Sequence, residues 1–292
     1  MGKFKTSRLI ASQSWALLKQ DKEMVLFPIL SAVTSLVVFA LLFSIFNLSI
    51  SFDNSVFVTA DGTGLRASSY LFVIAYYIAS FFLINFFQAG LFVVAYARFN
   101  GQNLSFSDGI RISFSKIVKI FIWSLISATV GMILDFISQT SEIVGNIIAA
   151  VFGTAWEILT YFSLPSLIIG NTSVTGAFKE SAHLIKKVWG ETFIVEAGAG
   201  LFFIGLLLAS FISAGVIVWM IPQLIFVCAV LLAVAVVFIV IVSSTLNSIF
   251  KLVIYEYART GVVPNGFSPE LLTSAIKSNP IEHIATTSNP QM

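Results

Sequence analysis

Glu157 stands in a long apolar run, and Asn146, Gly153, Glu157, Thr160 and Tyr161 fall at i, i+7, i+11, i+14 and i+15, along one side of a helix. A carboxylate at the centre of a membrane helix costs ~2.5–3.5 kcal/mol on insertion scales. It is therefore expected to face the helix bundle, meet a donor, or stay protonated. The chemistry open to such a group is the passage of a proton or ion, or the holding of a polar ligand. Three other apolar runs add polar atoms at helical spacing. One carries Ser124, Ser127, Ala128, Gly131 and Asp135, another Tyr77, Ser80, Asn85 and Gln88, and a third Ser244, Asn247, Lys251 and Tyr255. Glu157, Thr160, Tyr161, Asp135, Asn85, Gln88, Asn247 and Lys251 are thus the candidates for a hydrated pathway or binding cavity. The other reading of the same residues is interhelical hydrogen bonding that holds a bundle together.

Covalent or metal chemistry has no comparable support. The sequence contains no H-E-x-x-H, G-x-S-x-G, P-loop or paired C-x-x-C motif. Cys228 is the single cysteine and lies in an apolar run, where it reads as a small hydrophobe. His183 falls on an amphipathic cytoplasmic helix and His283 in the tail, so neither is positioned to act with Glu157 or Asp135 deep in the membrane. The Gly-x-Gly-Asp setting of intramembrane aspartyl proteases is absent around Asp135. A non-enzymatic protein without metal or cofactor is the expectation.

The elements that must position the candidates are membrane helices. Hydrophobic residues make up 58% of the 292 and charged ones 10%, against about a quarter charged in soluble domains, and the mean hydropathy is +0.96. Six windows exceed the roughly 20 apolar residues that a bilayer requires: 24–48, 70–99, 117–138, 143–169, 193–219 and 223–257. The first is too long for a signal peptide and reads as a retained span. Pro165, flanked by Ser163 and Ser166, is the place for a kink. A net charge of +2 offers no cluster suited to nucleic acid.

Of the 16 Lys and Arg residues, all but Arg66 fall on one side of a six-span topology. By the positive-inside rule that side is the cytoplasm, with both termini there. Segments 105–111 and 173–179 resemble each other, and each leads through an amphipathic stretch into a pair of spans, with Ser107 and Thr175 as expected N-caps. The fold expected is all-α, a bundle of three parallel helical hairpins, each preceded by an amphipathic cytoplasmic helix and related by a pseudo-rotation axis along the membrane normal. Residues 1–23 form an amphipathic segment, 24–257 the membrane domain and 258–292 a cytoplasmic tail with a short helix capped by Ser268. The loop at 49–69 is expected to turn near Asp61-Gly62.

The stripe of Phe178, Ala182, Ile185 and Trp189 at i, i+4, i+7 and i+11 is expected to dip into the bilayer interface, as are Ile110, Phe114, Ile117 and Phe121. Lys179, Lys186 and Lys187 lie off that stripe and suit anionic lipid. Gly205, Ala209 and Ser213 follow at four-residue intervals and permit close helix contact, within the chain or between copies of it in a homo-oligomer.

The run Ser14-Trp-Ala-Leu-Leu-Lys-Gln-Asp-Lys-Glu-Met-Val-Leu-Phe-Pro28 resembles the opening of a family of uncharacterised bacterial and archaeal multipass membrane proteins. More loosely, an amphipathic helix entering paired spans is similar to the membrane domain joined to some glycerophosphodiester phosphodiesterases. Neither resemblance implies a catalytic residue. Two functions remain open: binding or transport of a small solute, ion or lipid through the polar interior, and a structural or regulatory scaffold that recruits a partner through its cytoplasmic helices.

Overall fold

The computed structural model describes residues 3–49, 67–141, 143–188 and 191–267. The turn expected near Asp61 and the tail helix from Ser268 lie outside them, as does Trp189. The helices are α1 (Lys3–Gln20), α2 (Leu26–Ser49), α3 (Ala67–Phe99), α4 (Phe106–Ser115), α5 (Ile117–Gln139), α6 (Val144–Thr160), α7 (Ser163–Ile168), α8 (Val174–Val188), α9 (Glu191–Met220) and α10 (Ile225–Thr260). Among the described residues, six spans are long and apolar enough to cross a membrane: α2, α3, α5, α6 with α7, α9 and α10. Among the described residues there is no strand.

The spans pair as three hairpins, α2 with α3, α5 with α6, and α9 with α10. α4 packs on α3, the second helix of the hairpin before it, and α8 packs on α6 and α7 in the same way. α1 has no hairpin before it and packs instead on α9 and α10, so it closes the ring. This cyclic exchange is what a pseudo-rotation axis along the bundle requires. The second helices meet at its centre, where α3 contacts α7 and α10, and α7 contacts α10.

The fourth span breaks at Tyr161 and Phe162, between α6 and α7. Pro165 has no amide to return to the carbonyl four residues before it, which is that of Tyr161. At the same break the amide of Phe162 donates to Ser181 Oγ of α8 at 2.9 Å, so α8 satisfies a backbone donor there.

The core lies at the end of the bundle that carries α1, α4 and α8. Met24 and Phe27 are fully buried there, and so are Phe92, Phe162, Leu167, Ile249, Leu252 and Tyr255. The Phe27 ring enters a slot between two helices. A Cβ built on Gly90 of α3 comes 2.5 Å from Phe27 Cε1, and one built on Gly109 of α4 comes 2.7 Å from Phe27 Cζ and 2.9 Å from the Gly90 oxygen. Only glycine leaves room for the ring at both positions. The acids of the opening run fasten the same joint. Asp21, 6% exposed, pairs with Arg98 of α3 at 3.1 Å, and Glu23 Oε2 accepts the amide of Phe106 at the start of α4 at 2.8 Å.

Two local expectations are corrected. The cap of α4 is Ser105, which receives the Asp108 amide at 3.2 Å while Asp108 receives the Ser105 amide at 3.1 Å, a reciprocal box that the expected cap Ser107 cannot make. The Ser105 hydroxyl and amide hold the Asp108 carboxyl below its ordinary range. For α8, Ser173 Oγ accepts the Gly176 amide at 3.1 Å, so the cap again lies two residues before Thr175. The apolar face of α8 also turns inward: Ala177, Ser181, Leu184 and Val188 are buried with Ile185, and Phe178 and Ala182 are half-buried. Its stripe serves the protein core rather than the bilayer interface. In α4 and the start of α5 the expectation fares better, since Phe114 and Phe121 are exposed while Ile110 and Ile117 are half-buried.

The slot around Phe27 makes a contrast testable. Gly90→Val should lower the unfolding temperature in detergent, at a cost of ~1–3 kcal/mol for overpacking. Gly205→Val, with no atom within 4 Å of its built Cβ, should leave it nearly unchanged. Equal effects of the two would show that Phe27 is not wedged.

Candidate functional site

α3 is the polar hub of the membrane domain. Asn85 Nδ2 donates to Ser124 Oγ of α5 at 3.0 Å, and Ser124 donates to the Ile120 carbonyl at 2.8 Å. One turn on, Gln88 Nε2 donates to Ser248 Oγ of α10 at 3.2 Å. Asn85 thus ties α3 to α5, and Gln88 ties it to α10.

Around Gln88 the packing leaves a cavity of about 340 Å³, lined by Gln88, Val240, Ser243, Ser244, Asn247, Ser248 and Lys251. Ser243, Asn247 and Lys251 follow one another at four-residue intervals on α10 and present one polar face. The Lys251 ammonium lies 4.5 Å from the centroid of the Tyr161 ring, at the α6–α7 break. Ser244 is exposed, so the cavity reaches the bilayer-facing surface. A second cavity of about 340 Å³ lies between α2, α3 and α10, walled mostly by apolar groups such as Phe27, Ile84, Phe87 and Leu91. The two share Gln88, Val240, Ser244 and Ser248, so the Gln88–Ser248 hydrogen bond stands between a polar and an apolar compartment.

Of the candidates read from the sequence, Gln88, Asn247, Lys251 and Tyr161 come together here. The others do not. Asn85 is occupied by Ser124, and Thr160 turns its hydroxyl to the Trp156 carbonyl at 2.7 Å. Asp135 is exposed near the opposite end of α5, where it accepts from Gln139 at 2.9 Å. Glu157, the expected ionisable centre, is exposed, and among the described residues it makes no hydrogen bond or ion pair. The reason lies one residue earlier. Trp156 stacks on Trp123 of α5 at 6.3 Å and on Phe178 of α8 at 6.0 Å. The packing face of α6 is thereby fixed at Trp156, and Glu157 sits about 100° round the helix from it.

One acid in the core was missed. Glu180 of α8 accepts a hydrogen bond from Ser166 Oγ of α7 and a second, at 3.3 Å, from the hydroxyl of the fully buried Tyr255 of α10. Ser166 and Thr172 hydroxyls lie 3.2 Å apart beside it. Glu180 thus ties α8 to two of the elements that meet on the axis, α7 and α10. The signal was present, because Ala177, Ser181, Leu184 and Val188 also fall at i, i+4, i+7 and i+11, a stripe that brings Glu180 to its border.

Residues 67–266, from α3 to just beyond α10, match a family of unknown function, DUF6159. The chain belongs to that family. Neither curated proteins nor solved structures gave a match. The matched region begins after the opening run that includes Asp21 and Glu23, and it lends no support to a likeness with phosphodiesterase membrane domains.

Two acids one helix apart should behave oppositely. Glu180→Leu strands the Ser166 and Tyr255 hydroxyls and should cost ~1–3 kcal/mol, read as a fall in unfolding temperature in detergent. Glu157→Leu should leave that temperature unchanged or raise it. A larger loss at Glu157 would mean that its carboxylate is held inside the bundle.

Proposed function

We propose that this membrane protein binds a small polar solute or a lipid within the bilayer and moves it between the bilayer and one aqueous face. The observation behind the reading is the cavity beside Lys251, a cation and several amide and hydroxyl groups gathered at membrane depth, open at Ser244 and bordered by an apolar compartment. A cation beside amide and hydroxyl groups around one cavity, with an apolar compartment next to it, suits a ligand that has both polar and apolar parts. The reading is non-enzymatic and calls on no cofactor.

The orientation in this proposal is the one favoured by the basic residues, with the core end and both termini in the cytoplasm of a bacterial or archaeal cell. A scaffold role is the second reading, supported by the outer face of α8, where Lys179, His183, Lys186 and Lys187 are all exposed. That face suits an anionic membrane or an acidic partner. Gly205, Ala209 and Ser213 are exposed on α9, away from α10, so a packing role for them falls between copies of the chain rather than within one.

Ligand binding has a direct readout. Protein extracted in mild detergent and weighed intact by native mass spectrometry should carry a bound small molecule. Lys251→Met and the cavity-filling Ser244→Trp should each reduce its occupancy about tenfold or more, the equivalent of ~1.4 kcal/mol. Undiminished occupancy in both variants would remove the cavity from consideration. Loss of function with Lys179, Lys186 and Lys187 all changed to Gln, while Lys251→Met is silent, would favour the scaffold.

A further inference from the structure

We propose that Lys116 and Lys119 form a site for the phosphate of an anionic membrane lipid at the start of α5, separate from the cavity beside Lys251. Ser115, Lys116, Val118, Lys119 and Asn171 line an opening of about 460 Å³ there, and none of them is acidic. Both ammonium groups are fixed in place by the connection between α7 and α8. Lys116 Nζ donates to the Ile168 carbonyl, the last of α7, at 2.6 Å. Lys119 Nζ donates to the Thr172 carbonyl at 3.0 Å and to Asn171 Oδ1 at 3.4 Å, with Asn171 held at φ 52°.

Capping of α7 accounts for the position of these lysines but leaves donors over, because an ammonium has three N–H groups and neither lysine has used all of them. Among the described residues neither forms an ion pair. Burial pushes the Lys116 ammonium down, and the adjacent Lys119 charge adds to it, the direction expected of cations held together without a counter-ion. Since the side chains are already ordered, an anion that joins them has little conformational entropy to remove.

Depth favours a lipid as the source of the phosphate. Lys116 directly precedes the span Ile117–Gln139, which places the two ammonium groups at headgroup level. Further along the same side of α5, Ile122, Ile126 and Ile133, at i+3, i+7 and i+14 from Lys119, are exposed, so acyl chains have an apolar surface to lie along. By contrast, Lys179, Lys186 and Lys187 are exposed on α8.

Binding would be measured on the purified full chain in detergent by the rise in unfolding temperature on titration with phosphatidylglycerol, phosphatidylcholine or inorganic phosphate. Phosphatidylglycerol is expected to stabilise the protein saturably, and Lys116→Gln with Lys119→Gln to weaken the apparent affinity at least tenfold. Ser115→Trp, which fills the opening without removing either ammonium, should do the same, and it decides the matter if the double variant does not fold. The Lys179, Lys186 and Lys187 to Gln variant should keep the affinity within about twofold. Equal stabilisation by phosphatidylcholine, a response to inorganic phosphate alone, or unchanged affinity in Ser115→Trp would overturn the proposal.

Discussion

Lipid is as apolar as the helices it surrounds, so no hydrophobic force draws membrane helices together, and a bundle is held where its side chains interlock. In this protein that place is one end. Phe27 fills the slot left by Gly90 and Gly109, Asp21 pairs with Arg98, and Glu180 gathers Ser166 and Tyr255. Each joint links elements from different hairpins or their entry helices. Away from that end the spans are largely exposed, as at Leu36, Ile133, Phe152, Ile212 and Val234.

The candidate sites follow from this division. The Gln88–Ser248 bond lies where α10 passes from exposed to buried, and the cavities open on either side of it, with Lys251 on the buried side of the transition. The lysines at the start of α5 stand at the rim of the same tight end, anchored to the segment that follows the break at Pro165. At the break α8 supplies Ser181 to the Phe162 amide, and at the end of α7 the helix α5 supplies Lys116 to the Ile168 carbonyl.

The spans were legible because length and hydropathy alone decide insertion, and the hairpins were legible because segments 105–111 and 173–179 repeat. The caps were misread by two residues in a run where several Ser and Thr residues qualify; Asp108, three residues after Ser105, was the discriminating feature. Facing was the harder matter. A helix surrounded by lipid has little contrast between its inner and outer sides, so the line through Glu157 looked as inward as the one through Trp156. Nor does local spacing reveal a bond such as Gln88 to Ser248, whose partners are 160 residues apart. Asp21 and Glu23 belonged to a motif noticed for its resemblance alone, and their work became visible only with Arg98 and Phe106 beside them.

The central claim is that the bundle is tight at one end and lipid-exposed elsewhere. The most direct measurement is oxygen accessibility of single nitroxide labels along α10 in lipid bilayers, with Cys228 replaced by Ser. Labels at Val234, Val237 and Phe238, which are 62%, 57% and 61% exposed, should be freely relaxed by oxygen. Labels at Leu252, Val253 and Ile254, which are no more than 1% exposed, should be protected on every side. A single helical periodicity of accessibility, unchanged from Val234 to Ile254, would contradict the account.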